Sequence, residues 1–219
     1  MGLPGEAELL RTAGRVLTGP ERELFEALHQ FAAQRFEAAD AAAARIQRLL
    51  GEGAQAAELQ REVHAFLREC WDTLDAIGRQ VNICAWRLFP DAGFYPPGRM
   101  MRQCTFYTVR RALHASGVAS PHPLAALLWE ETRSRAHPAY VRLSFLYNVA
   151  LFAPVPLPQG TRFPGTADLP GCLRGLVKVQ DVAGVLLTGG TVEMLEWLRD
   201  FAGRCYRLME RTLGETPTR

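Results

Sequence analysis

Two pairs of arginine and histidine have the spacing that metal-free acid–base chemistry on a phosphate would need. Arg133 precedes His137 by four residues, and Arg110 precedes His114 by four. On a helix this spacing puts both members of a pair on one face. The arginine could then stabilise a phosphate while the histidine moves protons, as in a metal-independent ribonuclease. Such pairs also arise readily by chance in an arginine-rich chain, so the sequence assigns no catalytic residue.

A second group of candidates is cationic and could bind nucleic acid. The segment 99–111 carries several arginines without an acidic residue among them, interleaved with Phe106 and Tyr107. Surfaces of this composition bind phosphates. Salt bridges within the protein are the commoner role of such arginines, and the chain has 25 basic against 23 acidic residues. The candidate nucleic-acid-binding residues are Arg99, Arg102, Arg110 and Arg111, with a second basic group at Arg133, Arg135, His137 and Arg142.

A predicted central helix over Val63–Phe89 combines an apolar seam with a polar line. The seam has alternating steps of four and three, the spacing that turns one helix face to a partner. Its members are Val63, Leu67, Cys70, Leu74, Ile77, Val81, Cys84 and Leu88. The polar line beside it consists of Trp71, Asp75, Gly78, Asn82 and Trp86, with Asp72 next to it.

This polar line has two explanations. One is a polar pocket or interface that binds a ligand or a partner. The other, which we favour, is a structural hydrogen-bond network that joins the central helix to its neighbours, for instance from Asp75 to an arginine. Each buried polar group left without a partner costs about 1–3 kcal/mol, so networks of this kind are common in bundles.

Helical periodicity covers most of the chain. The helix over residues 20–50, with an apolar side at Leu24, Leu28 and Phe31, and the central helix are joined by a short turn, which makes them antiparallel neighbours. Shorter helices are predicted over 5–17, 99–116, 124–136, 139–152 and 191–213, the third with Ser120 as its cap. We therefore predict an all-α helical bundle of six or seven helices in one domain spanning 1–219. A proline-rich irregular loop is predicted at about 153–175, and residues 176–187 fit a helix or a strand.

Several function classes lack their signatures in this sequence. It contains no glycine-rich phosphate loop, no H-E-x-x-H and no G-x-S-x-G. The five cysteines form no C-x-x-C pair, and helix-borne ligands at spacings of three or four are missing, although His29 and His64 could face each other across the long helices. We expect no metal, no cofactor and reduced, mostly buried thiols. No secretory signal and no run of about 20 apolar residues is evident, so a cytoplasmic location without a membrane is expected.

Three segments together resemble the HEPN superfamily of prokaryotic helical domains. They are CWDTLDAIGRQVN at 70–82, TFYTVRRAL at 105–113 and YVRLSFLYNVALF at 140–152, and the resemblance covers about residues 24–152. Members of this superfamily often act in phage defence, toxin–antitoxin pairs and RNA cleavage. HEPN ribonucleases carry an arginine, usually followed by a polar residue, and a histidine four to six residues further on. Two such motifs meet across a homodimer to form the active site.

The matching position in this chain is degenerate. Asn148 keeps the polar residue, but Tyr147 stands in place of the arginine and Phe152 in place of the histidine. A phenol is not a permanent cation, and a phenyl ring carries no proton. The resemblance therefore implies a non-catalytic binding or scaffolding module in a defence or toxin–antitoxin system, with Tyr147, Asn148 and Phe152 in its core or interface. It implies a homodimer or a subunit of a larger complex. The alternative is a metal-independent ribonuclease or an RNA-binding protein that uses arginines of the predicted helices over 99–116 and 124–136.

Overall fold

Six helices and no strand make up the described part of the chain. The computed structural model describes residues 3–52, 56–88, 94, 104–115, 122–132, 140, 143 and 191–215. The helices are α1 Glu6–Val16, α2 Gly19–Gly51, α3 Ala56–Leu88, α4 Phe106–Ala115, α5 Pro123–Thr132 and α6 Thr191–Gly214. The predicted all-α bundle is therefore confirmed. No helix in these ranges combines the length and hydropathy that crossing a membrane requires.

The two long helices, α2 and α3, have 33 residues each and run antiparallel. Gln80 Nε2 donates to the Phe25 carbonyl at 3.4 Å, and Arg87 Nη1 lies 2.7 Å from Glu21 Oε2. The residue numbers of the contacts thus decrease along α2 as they increase along α3, as in an antiparallel pair. The pairing expected from the short turn is confirmed, although α3 begins at Ala56, earlier than the predicted 63.

The chain forms two compact units. The first unit comprises Met1–Arg35, Asp72–Glu131 and Leu198–Arg219, and the second comprises Phe36–Trp71 and Thr132–Trp197. Each of α2, α3 and α6 therefore contributes one segment to each unit. The single domain predicted for 1–219 stays a prediction. The predicted loop at 153–175 and the ambiguous segment 176–187 lie outside the described residues.

The seam of α3 is buried as predicted. Its seven members from Val63 to Cys84 are each at most 8% exposed. In the second half of the helix, further side chains outside the seam are also buried: Thr73, Ala76, Gln80, Asn82, Ile83 and Ala85. A helix that is buried on several faces lies in the interior of its bundle, so this half of α3 is the central element of the first unit.

The buried face of α2 differs from the predicted one in its first half. Leu24 and Phe31 are only half-buried, whereas Phe25, His29 and Phe36 are buried. Apolar residues are so frequent in this segment that more than one stripe is compatible with helical periodicity. Leu28 is buried as predicted, but Leu24 and Phe31 are not, and packing against other helices selects the stripe that contains His29.

The start of α4 is set by a threonine cap. Thr105 Oγ1 accepts a hydrogen bond from the Thr108 N–H at 3.2 Å, and Thr108 Oγ1 accepts one from the Thr105 N–H at 2.9 Å. This reciprocal arrangement resembles a capping box. The helix predicted over 99–116 therefore begins at Phe106, and residues 99–103 lie outside the described part.

The other helix ends follow local signals more closely. The helices α1 and α6 begin and end within one residue of the predicted 5–17 and 191–213. The first helical residue of α5 is Pro123, whose fixed φ suits a first turn. The His122 carbonyl accepts the Ala126 N–H at 3.0 Å, so His122 holds the cap position predicted for Ser120.

Candidate functional site

The polar line of α3 meets the first turn of α4. Asp75 Oδ1 accepts a hydrogen bond from the Phe106 N–H at 2.7 Å, and Arg79 Nε donates to the Cys104 carbonyl at 2.9 Å. The first N–H groups of a helix have no acceptor within the helix and carry a partial positive charge. Because α4 has no acidic residue in its own first turn, the carboxylate of Asp75 caps it from α3.

Gly78 allows the two helices to approach closely at this contact. A Cβ atom at Gly78 would lie 2.8 Å from Phe106 Cα and 3.3 Å from Phe106 Cβ. Phe106 itself is 1% exposed, and its ring meets that of Phe201 edge-on, with centroids 5.8 Å apart. Glycine is therefore required at position 78 by the backbone of α4.

Opposing effects act on the pKa of Asp75. Burial raises the pKa of this carboxyl, and the hydrogen bond from the Phe106 N–H and the nearby Arg79 guanidinium oppose that rise. Asp72 adds to the rise in pKa because it is a second carboxylate. The net direction is upward, so the charged form of Asp75 is less favourable here than in water.

The structure brings together only some of the predicted polar-line residues. Asp75 and Gly78 meet α4, Asn82 is 1% exposed, and Trp86 and Asp72 are half-buried. Trp71 belongs to the second unit, where its ring stacks on Tyr140 with centroids 6.5 Å apart. Tyr147, Asn148 and Phe152 lie outside the described residues.

Arg79 is a site residue that sequence reasoning did not name. Its signal was its position one helical turn after Asp75, where an arginine can neutralise the carboxylate. Its guanidinium donates to the Cys104 carbonyl just before α4. Asp75 and Arg79 therefore both bind the segment at which α4 begins. Hydrogen bonds from α3 to its neighbour, of the kind predicted, thus run to the Phe106 N–H and to the Cys104 carbonyl before α4.

The outer face of α4 carries the cations predicted to bind nucleic acid. The α4 face consists of Tyr107, which is 51% exposed, Arg110, whose Cζ lies 5.2 Å from the Tyr107 ring centroid, and the exposed Arg111. Phe106, expected among these arginines, faces the interior instead. Arg99 and Arg102 lie outside the described residues.

The candidate acid–base pairs fall largely outside the described part. Arg133, Arg135, His137 and Arg142 are not within it, and neither is the side chain of His114. No group of three or more His, Cys, Asp or Glu side chains that could hold a metal ion occurs in the described ranges.

A buried histidine cluster lies on the face of α2 that the sequence did not single out. The His29 cluster consists of Glu6, His29 and Tyr206. His29 Nε2 lies 3.5 Å from Glu6 Oε2, and the His29 and Tyr206 ring centroids are 5.4 Å apart. Burial lowers the pKa of His29, and Glu6 opposes this. The only signal in the sequence was that His29 continues the apolar stripe of Phe25 and Phe36.

The four cysteines within the described ranges are free and buried. Cys70, Cys84, Cys104 and Cys205 are buried thiols, as expected for this part of the chain. Burial raises the pKa of the Cys84 and Cys104 thiols to about 12. Since the thiolate is the reactive form, these side chains are poor nucleophiles at neutral pH.

Fold and site define an all-α bundle whose central helix holds a short helix with a cationic outer face. Comparisons of the chain with protein-family models, with curated proteins and with solved structures find no match. The resemblance to the HEPN superfamily therefore depends on the three quoted segments alone and stays a prediction. Because a helical bundle by itself supports many functions, the function has to be argued from the site.

Proposed function

We propose that this protein is a non-catalytic binding module of the HEPN-like kind that meets its partner through the α4 face. The observation that carries the proposal is the contact of Asp75 and Gly78 with Phe106. These polar-line residues hold a helix, and they hold it in a fixed orientation. A binding surface gains affinity when it is ordered before the partner arrives.

The chemistry of the α4 face favours an anionic partner. Tyr107 offers an exposed ring, and Arg110 and Arg111 offer planar cations beside it. A second copy of the chain would bring the same cations against each other, which like-charge repulsion opposes. A homodimer or a larger complex, both part of this proposal, would therefore use other surfaces.

Single-stranded RNA is the partner class that this face fits best. Exposed aromatic rings stack on unpaired bases, and guanidinium groups bind phosphates and also stack on aromatic rings. The combination of Tyr107 with two adjacent arginines is the specific observation behind this candidate. Binding without cleavage is expected, since the degenerate positions Tyr147 and Phe152 supply neither a permanent cation nor a proton.

Fluorescence anisotropy with a labelled single-stranded RNA of about 15 nucleotides tests the proposal. We expect Arg111→Gln to weaken binding severalfold and to reduce the salt dependence by about one phosphate contact. Tyr107→Ala should weaken binding as well, through lost stacking. Arg11→Gln is the matched control, because Arg11 is an exposed arginine of α1 with its side chain 68% exposed.

Three outcomes would decide against parts of the proposal. Equal affinity of the wild type and Arg111→Gln would remove the α4 face as the binding site. Cleavage of the RNA that is lost in His137→Ala would favour the ribonuclease alternative. A protein that does not bind the RNA but sediments as a dimer after nuclease treatment would be a scaffold without a nucleic-acid partner.

A further inference from the structure

The N-terminal segment is packed tightly against α6. Leu3 is 2% exposed, and Gly5 has φ +83, a conformation that side chains disfavour, at the point where the chain enters α1. A Cβ atom at Gly203 of α6 would lie 3.0 Å from Pro4 Cβ. These contacts place the beginning of Leu3–Val16, a segment here called the N-terminal latch, against α6 within the first unit.

Glu6 connects the N-terminal latch to the buried His29. Its Oε2 atom accepts the Leu3 N–H at 3.1 Å and lies 3.5 Å from His29 Nε2. The carboxylate therefore stabilises the segment and faces the imidazole at the same time. Any change in the charge of His29 acts directly on the residue that begins α1.

Among the described residues, Glu6 is the one anionic group that acts on His29. From α1 the facing group is Glu6, whose side chain is 38% exposed. From α6 the facing group is Tyr206, whose pKa burial raises far above its ordinary value, so that it stays neutral, with the buried Cys205 thiol next to it. From α3, Gln80 donates its neutral amide to the Phe25 carbonyl, one turn before His29 on α2.

Hydrogen bonding at this site is incomplete in the packed state. His29 Nδ1 and Tyr206 Oη are buried, and neither has a hydrogen-bond partner among the described residues. His29 is 5% exposed. A protonated imidazole has two donors, so Nδ1 would become a buried charged donor without an acceptor. Water would satisfy both donors if the segment moved away.

We propose that Leu3–Val16 is an acid-released latch, in which protonation of the His29 imidazole shifts the segment from its packed position to an open one. Opening would expose the surface of α2 and α6 around His29 and Tyr206. The proposal does not depend on which partner the α4 face binds. It requires only that the imidazole prefers to be charged in water and neutral in the packed state.

The pKa values of His29 in the packed and open states limit how much the opening equilibrium can change with pH. The ordinary pKa of histidine is 6.5, and burial lowers that of His29 in the packed state. If the open state titrates at the ordinary value, the opening equilibrium rises by at most about tenfold between pH 7.5 and 5.5. Glu6 keeps the rise below this ceiling because it stabilises the imidazolium in the packed state.

Hydrogen exchange followed by mass spectrometry measures this opening. Protection factors of residues 3–16, corrected for the intrinsic effect of pH, should fall severalfold in the wild type from about pH 7.5 to about pH 5.5. Those of α5 should stay constant, which excludes general acid unfolding. In His29→Gln the protection of residues 3–16 should not change with pH. In the control His64→Gln, which alters a half-buried histidine of the second unit, the wild-type response should remain.

A second variant keeps the test decisive if His29→Gln does not fold. Glu6→Gln retains an oxygen that can accept the Leu3 N–H but removes the charge that faces His29. The acid response should then be at least as large as in the wild type and approach tenfold. Protection that is independent of pH in the wild type would overturn the proposal. So would an undiminished response in His29→Gln or a smaller one in Glu6→Gln.

Discussion

Asp75 Oδ1 accepts the Phe106 N–H at 2.7 Å across 31 residues of chain. A carboxylate of the central helix thereby caps a helix that has no acidic residue in its own first turn. This bond, the close approach at Gly78 and the bond from Arg79 to the Cys104 carbonyl together hold the start of α4 against α3.

Replacing Asp75 separates the hydrogen bond from the charge. Asp75→Ala leaves the Phe106 N–H without an acceptor, and we expect it to lower the free energy of unfolding by about 1–2 kcal/mol. Asp75→Asn keeps an oxygen in place and should cost less than about 1 kcal/mol. Urea denaturation of the three proteins provides the measurement. Equal losses in both variants would mean that the acceptor oxygen is not what stabilises α4.

The pH dependence of stability reports the charge of Asp75. Its pKa in the folded protein is raised above the ordinary value of 3.8, so between these two values the folded protein binds more protons at this site than the unfolded protein does. Stability from this site therefore falls as pH rises through that window. Relative to Asp75→Asn, the wild type should become more stable from neutral pH to about pH 4. A difference that grows in the opposite direction would contradict the raised pKa.

Gly78→Ala should destabilise the protein despite the better helix propensity of alanine. The added Cβ would lie 2.8 Å from Phe106 Cα, so α4 must move away from α3. We expect a loss of about 1–3 kcal/mol in the free energy of unfolding. Gly14→Ala in α1 is the matched control. Among the described residues, a Cβ there comes within 4.0 Å of Arg22 Cδ alone, and alanine should stabilise that helix by up to about 1 kcal/mol. A gain in both variants would show that α4 does not depend on close approach.

Two arginine–glutamate pairs between α2 and α3 differ in burial but not in distance. Arg87 and Glu21 are 13% and 16% exposed, and Arg45 and Glu62 are 44% and 25% exposed, with both pairs at 2.7 Å. Arg87→Met leaves a largely buried carboxylate, whose remaining hydrogen bonds among the described residues come from Thr18. This variant should cost about 1–3 kcal/mol. Arg45→Met should cost less than about 1 kcal/mol. Thermal unfolding of both variants measures the contrast, and similar losses would contradict the role of burial.

The sequence alone determined the elements whose signals are local. The seam of α3 follows from steps of three and four, and the ends of α1 and α6 follow from the same periodicity together with glycine and proline. The antiparallel arrangement of α2 and α3 follows from the shortness of their connection. These features depend on residues close together in the chain, so spacing was sufficient to predict them.

Tertiary structure decided the features that depend on distant residues. It selected the stripe of α2 that contains Phe25, His29 and Phe36, and it gave the Asp75 carboxylate the Phe106 N–H as its donor, with Arg79 of the same helix nearby. Local sequence and tertiary structure both determine the start of α4, because Thr105 caps it locally and Asp75 caps it from α3. Periodicity could not predict these choices. When a helix has several apolar stripes, the partner that packs against it decides which one is buried, and the same holds for a carboxylate with several possible donors.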